Sequence, residues 1–171
     1  MLAVKWYKKP EMIVAFSALL ISLITTAVSV YSAYIDRSYA RASVWPRLEW
    51  GRSFGHEHFS YHVTNSGNGP ALIQYAVVRY QSKPIKAWQD ILSLPNAAQS
   101  HISTKILSPQ EIVKPLSYEG SEMNTLLKID ESIDVELCYC SLYEECWIIT
   151  REIASTAVDR CVVDPSIAFT Q

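Results

Sequence analysis

Two hydrophobic patterns divide the chain. From Met12 to Ile35 the segment MIVAFSALLISLITTAVSVYSAYI carries no charged residue, no Pro and no Gly, and Glu11 and Asp36 bracket it. As a helix rising about 1.5 Å per residue, it reaches about 36 Å, against a bilayer hydrocarbon core of about 30 Å. A buried soluble helix of this length normally keeps a charged or strongly polar face, and this one carries no charge. Trp6 and Tyr7 on one flank, and Tyr31 and Tyr34 on the other, suit the two headgroup layers. The run predicts a transmembrane helix. A cleaved signal peptide is the rival, with KWYKK as its charged start, but the apolar run exceeds the usual length of about 7–15 residues, which favours an uncleaved signal anchor.

Beyond the helix the period changes to two. In HFSYHVTN, Phe59, Tyr61 and Val63 alternate with His58, Ser60, His62 and Thr64, as in a half-buried strand. ALIQYAVVRY follows, apolar on both faces, and reads as a central strand. WQDIL reads as one helical turn, HISTKIL and EIVKPL as strands split by a Ser-Pro turn, and SEMNTLLKI as a short helical crossover. SIDVELCYC and CWIITREI form a hairpin around SLYEE, and DRCVVD supplies a last strand. Short strands with turn signals every ten residues or so, without alternating long helices, predict an antiparallel immunoglobulin-like β-sandwich, with an open barrel as the alternative. The expected organisation is a cytoplasmic head over 1–10, a transmembrane helix over 11–35, a polar connector over 36–43 and a mainly β domain over 44–171.

Charge narrows the partners. The chain has 15 Lys/Arg and 17 Asp/Glu; without Lys5, Lys8, Lys9 and Glu11, the part from Asp36 onward has 12 against 16, a net of −4. No basic stripe appears, so no nucleic-acid partner is expected. Lys and Arg flank the helix almost evenly, with Arg37, Arg41, Arg47 and Arg52 on the far side, and the positive-inside rule is nearly silent. A short head and four cysteines favour a cytoplasmic N-terminus and an extracytoplasmic domain.

The segment VTNSGNGPALI resembles the Asn-x-Gly-x-Gly-Pro-Ala stretch of uncharacterised bacterial single-pass membrane-anchored proteins, with Asn65, Gly67, Gly69, Pro70 and Ala71 in those positions. Trp88, Ile91 and Leu92, and a hairpin with Tyr139, Cys140, Ser141, Tyr143 and Trp147, resemble later features of that group. The resemblance covers Trp45 to Thr150 and implies the bacterial inner membrane and a β-sandwich, but no activity. Cys138 and Cys146 depart from the pattern. Physically, Asn65, Gly67, Gly69 and Pro70 read as a tight inter-strand turn in which glycine and asparagine supply positive φ. The strand that follows argues against a phosphate-binding loop.

The cysteines follow the spacing C-x-C-x5-C-x14-C, which matches neither a zinc knuckle pair nor a C-x-x-C redox motif. Cys138 and Cys140 share a strand face, so a bridge between them is strained. Two pairings remain: Cys140 with Cys146 and Cys138 with Cys161, or Cys138 with Cys146 and Cys140 with Cys161. Disulfides are expected, with buried free thiols or a metal or redox role as alternatives. His56 and His58 share parity and so raise a metal site, weighed against a plain solvent face. Glu144 and Glu145 fall at a hairpin tip, where no pocket is expected. No catalytic residue, cofactor or metal is assigned. Ala15, Ala18, Ser22, Thr25, Ser29 and Ser32 recur at spacings of three and four, a stripe of small residues that lets helices pack closely; the competing reading bonds the hydroxyls to their own helix. The expectation is a non-catalytic interaction module in contact with lipid and with a second copy or a partner membrane protein. An envelope ligand or stress sensor signalling through its helix is the alternative, and a metal or redox enzyme a third reading.

Overall fold

The computed structural model describes residues 9–92, 96–152 and 155–171. Lys5, Trp6, Tyr7 and Lys8 lie outside these residues. The chain divides into two units, Met1–Ala42 and Ser43–Gln171.

The first unit is one helix, α1, Pro10–Ser43. Pro10 opens it with a φ already set for a helix, Glu11 stands in the first turn and Arg41 in the last, each complementing the helix dipole. Without Gly or Pro to stop it, the connector 36–43 continues the helix. None of its side chains is buried, and it is long and apolar enough to cross a membrane. The hydroxyls of Ser22, Thr25 and Ser29 donate to the carbonyls of Ala18, Ile21 and Thr25 at 2.7–2.8 Å. These three groups are satisfied within their own helix, the arrangement weighed against cross-helix bonding. For Ser22, Thr25 and Ser29, as for Ala15 and Ala18, packing along the stripe rests on small size rather than on a donated hydroxyl, and Ser32 continues the same spacing.

The second unit consists of two antiparallel sheets. One has the order β1-β2-β7-β5, with β1 Leu48–Phe54, β2 His58–Asn65, β5 Ala97–Gln99 and β7 Ile112–Glu119. The other runs β10-β9-β8-β3-β4, with β3 Ala71–Tyr80, β4 Lys83–Ile85, β8 Ile133–Cys140, β9 Cys146–Thr150 and β10 Thr156–Val158; β6, Ile106–Leu107, also pairs with β3. A helix α2, Met123–Asp130, joins β7 to β8 across the sheets.

Both sheets contribute to one core. Phe59, Tyr61, Val63, Leu116 and Tyr118 come from the first sheet, and Ile73, Val78, Val135, Leu137 and Ile149 from the second. Trp88, in a 3-10 turn, is wholly buried and stacks on Tyr61 with ring centroids 5.4 Å apart. The turn therefore contributes to the core, where WQDIL had read only as a helical turn.

Two bulges shape the strands. Tyr61 pairs with Leu116 and Val63 with Val113, so Lys114 and Pro115 together oppose His62. Pro115 has no N–H to donate, and a bulge is where a strand bordered on both sides tolerates it. On β3, Ile73 pairs with Tyr139 and Tyr75 with Cys138, leaving Gln74 unpaired. Gln74 switches the parity: Ala71 and Ile73 point to the main core before it, Ala76 and Val78 after it, and Tyr75 and Val77 turn to the opposite face. This explains why ALIQYAVVRY reads as apolar on both sides.

Tyr75, Val77 and Cys138 form a second small cluster, covered by Val158, Cys161, Val163 and Ile167 of the C-terminal segment. Two expected strands are corrected. HISTKIL keeps only Ile106–Leu107, because Thr104 turns the chain with φ +57°. DRCVVD forms no strand; the last strand ends at Val158, and Cys161 lies in the segment that crosses the sheet face.

Candidate functional site

The chain enters the domain at one end of the strands, and four features gather there. Leu48 at the start of β1 pairs with Asn65 at the end of β2. Ile112 at the start of β7 pairs with Thr64, and Leu72 near the start of β3 pairs with both Ile106 and Cys140. Val44–Arg47, the loop 66–70, the turn 108–111 and the hairpin tip 141–145 therefore share this entry end.

Asn65 organises it from a fully buried position. Its Oδ1 accepts from the backbone N–H groups of Arg47 and Gly67, both at 3.1 Å, and its Nδ2 donates to the carbonyls of Gly69 at 2.8 Å and Leu107 at 3.1 Å. Ser66 N–H donates to Arg47 O at 2.8 Å and Asn68 N–H to Trp45 O at 3.0 Å. One side chain thus ties the loop to the entering chain and to β6, using both its donors and its acceptor.

The glycines have a different cause from the one the sequence suggested. Neither Gly67 nor Gly69 has positive φ; the only glycine that does is Gly120. Instead, a Cβ on Gly69 would overlap the Val44 carbonyl, and one on Gly67 the Trp45 carbonyl and the Arg47 nitrogen. They are glycines because backbone passes over backbone. Gly69→Ala is expected to destabilise the domain by about 1–3 kcal/mol, the cost of overpacking a closed site, measured as a lowered urea midpoint. Gly55→Ala, with nothing within 4 Å of the added carbon, is the control.

The same end exposes apolar surface. Among the large apolar side chains of the domain that are exposed, Trp45 (47%), Ile106 (62%), Ile112 (59%), Leu142 (58%) and Tyr143 (41%) all lie there. Phe54 is at the far end, and Val162 follows Cys161. Trp45 packs partly on Trp147, centroids 4.9 Å apart, and Trp147 on Tyr139 at 5.6 Å. Hairpin 141–145 holds its apolar tip by a local network: Ser141 N–H donates to Glu145 O at 2.8 Å, and Ser141 Oγ accepts from Tyr143 N–H at 3.1 Å. Glu144 turns the tip with φ +62°.

The cysteines pair as one of the two expected arrangements, Cys138 with Cys161 and Cys140 with Cys146. Cys140 and Cys146 stand opposite each other on β8 and β9. Cys138–Cys161 fastens the C-terminal segment to the outer face of β8. The two bridges touch: Cys140 Sγ lies 3.7 Å from Cys161 Sγ.

The histidines do not assemble. His56 lies in the turn before β2, which begins at His58, so strand parity does not bring them together. His58 Nε2 stands 3.3 Å from Ser60 Oγ. Among the described residues, the group with metal-ligand spacing is Cys140, Cys146 and Cys161, whose sulfurs are in disulfides.

One polar site went unread in the sequence. Asp130, the last residue of α2, is wholly buried. Its Oδ1 accepts from Tyr61 Oη at 2.8 Å, and its Oδ2 from Arg151 Nη2 at 2.8 Å and from Arg52 Nη1. Arg151 Nη1 also donates to the carbonyls of Asp130 and, at 3.0 Å, Ile133. Burial, then the neighbouring Asp130 charge, pushes the Tyr61 hydroxyl well above its usual range. Tyr75, buried and bonded to Glu136 at 3.0 Å, is pushed up to about 12.

Both tyrosines ionise later in the folded chain than in the unfolded one. Their contribution is complete below pH 10 and falls as pH rises above it, because the unfolded state then releases protons that the folded state retains. Stability is expected to drop from about pH 10 upward, by about 1.4 kcal/mol per pH unit for Tyr61. Tyr61→Phe should flatten that slope in urea titrations while lowering stability near neutrality.

No protein-family model, no curated protein and no solved structure matches this chain.

Proposed function

We propose that the chain is a single-pass, membrane-anchored interaction module: α1 crosses a bacterial inner membrane, and the domain stands outside the cytoplasm to bind a protein partner at the membrane surface. The strand order supports an immunoglobulin-like fold. With β1, β2, β5 and β7 as strands A, B, D and E, and β3, β8 and β9 as C, F and G, the sheets read A-B-E-D and G-F-C, the order of constant-type immunoglobulin domains. The two disulfides suit an oxidising compartment.

The observation that carries the reading is the apolar entry end. Trp45, Ile106, Ile112, Leu142 and Tyr143 project from loops and strand starts at the one end tethered to α1 by an unbroken chain. Clustered exposed apolar side chains mark contact surfaces, and this set begins one residue after Val44. The tether restricts the partners to those near the membrane.

A photo-crosslinking residue at Leu142 in native membranes tests it, with the same residue at Glu57, exposed in the β1–β2 turn of the far end, as control. A discrete protein adduct from Leu142 and none from Glu57 is the expected result. Lipid adducts alone, or equal labelling from both positions, would contradict the reading.

A further inference from the structure

The two disulfides face a common cleft of about 440 Å³, lined by Cys140, Cys146 and Cys161 together with Gln74, Glu144 and Arg160. Cys138, the fourth cysteine, is fully buried against Tyr75 and Val77. The sulfurs of the three cysteines that line the cleft lie within 4.8 Å of one another, and Cys140 Sγ and Cys161 Sγ, which belong to different bridges, are in van der Waals contact at 3.7 Å. A thiolate formed at Cys140 would therefore stand beside a sulfur of the other bridge without any movement of the backbone.

We propose that this cleft is a thiol–disulfide exchange site for a small dithiol, with Cys140–Cys146 the bridge attacked and Cys140 relaying the exchange to Cys161. The site follows from the sulfur geometry and does not depend on the protein partner proposed above.

The steps balance. A thiolate of the dithiol attacks Cys146 Sγ, forming a mixed disulfide and breaking the Cys140–Cys146 bond, and Cys140 leaves as the thiolate. Cys140 attacks Cys161 Sγ, forming Cys140–Cys161 and breaking Cys138–Cys161, and the released Cys138 takes a proton. The second thiol of the reagent then displaces Cys146 from the mixed disulfide, and Cys146 also takes a proton. The dithiol loses two electrons and two protons and becomes a cyclic disulfide. The protein gains two thiols, Cys138 and Cys146, and keeps one bridge, Cys140–Cys161. Exchange by this route needs a thiolate in reach of the attacked sulfur and a leaving sulfur; the dithiol brings the first thiolate, and the cluster supplies the leaving sulfur Cys140, which then stands 3.7 Å from Cys161 Sγ. Cys138, released by the relay, is already in an apolar pocket, where a neutral thiol packs as a small hydrophobe.

The test uses the full-length protein in detergent, treated with substoichiometric dithiothreitol under native conditions. It is quenched with an alkylating agent at successive times, and the bridges are mapped by peptide mass spectrometry. The expected singly reduced species contains a Cys140–Cys161 bridge with Cys138 and Cys146 alkylated. A Cys146→Ser variant supplies an independent arm: with Cys140 free from the start, it should interconvert between Cys138–Cys161 and Cys140–Cys161 forms without added reductant. Finding only Cys138–Cys161 in the singly reduced species, at every time and also in the variant, would overturn the relay. Finding Cys140–Cys146 as the surviving bridge would overturn the point of attack.

Discussion

Asp130→Ala is expected to lower the unfolding free energy of the domain by about 3–5 kcal/mol, the usual cost of removing one partner from a buried ion network. The carboxylate is wholly buried and receives Arg52 of β1, Tyr61 of β2 and Arg151, which follows β9. One residue at the end of α2 thus links the first sheet, the second sheet and the helix between them. Its removal leaves two guanidinium groups side by side and a buried tyrosine hydroxyl without its acceptor. A carboxylate at a helix C-terminus also opposes the helix dipole, so the arginines are what make the position tolerable. Arg52→Ala should cost far less, because its side chain is 44% exposed and water can replace part of what it supplies. Urea unfolding of the full chain in detergent, followed by tryptophan fluorescence, measures both. Equal effects for the two variants would remove Asp130 as the centre of the network.

Phe169→Ala should cost about 3–5 kcal/mol as well, the range for truncating a buried phenylalanine. Phe169 is 1% exposed, its ring meets Trp88 with centroids 5.3 Å apart, and Trp88 in turn stacks on Tyr61. The backbone around it is held as well: Phe169 N–H donates to Ala76 O at 2.8 Å and Thr170 N–H to Lys86 O at 3.0 Å. Gln171 Oε1 accepts from Trp88 N–H at 2.9 Å. The C-terminal segment therefore completes the core along the edge of β3 between β6 and β4, and the Cys138–Cys161 bridge fastens its upstream part. Val162→Ala, at a side chain 69% exposed in the same segment, should stay within about 0.5 kcal/mol. The same urea titration separates the two, and a Phe169→Ala midpoint equal to that of Val162→Ala would show the segment to be peripheral.

What was legible in the sequence follows from which signals are local. The uncharged run gave the body of α1, which the connector 36–43, free of Gly and Pro, extends to Ser43. Alternation in HFSYHVTN located β2 at His58–Asn65, and two flanking breaks located β3 at Ala71–Tyr80. The hairpin β8–β9 was readable from its strand patterns and loop length, whereas the choice between the two cysteine pairings was not. It depended on the path of the last dozen residues over the outer face of β8, which no local pattern encodes.

The parts that could not be read are long-range. Asp130 sits at the end of a short helix where a carboxylate is ordinarily solvated, and its arginines lie 78 and 21 residues away in sequence. Phe169 is one aromatic in a segment with no periodicity. The glycines of NSGNGPA were correctly placed in an inter-strand turn, yet for the wrong reason, since positive φ and backbone crowding leave the same glycine in the sequence. The entry-end surface was equally hidden: Ile106, Ile112, Leu142 and Tyr143 each look like ordinary strand or hairpin residues until the topology brings them to one end.

The central claim is that α1 anchors a disulfide-stapled domain outside the cytoplasm. A reporter enzyme that is active only after export, fused after Gln171 and assayed in membrane and soluble fractions, tests it most directly. The account predicts an active reporter that remains in the membrane fraction, attached to a chain of full length at 19.3 kDa plus the reporter. An inactive reporter on a stably expressed membrane protein would place the domain in the cytoplasm, and an active reporter in the soluble fraction on a shortened chain would make α1 a cleaved signal. Either result would contradict the account.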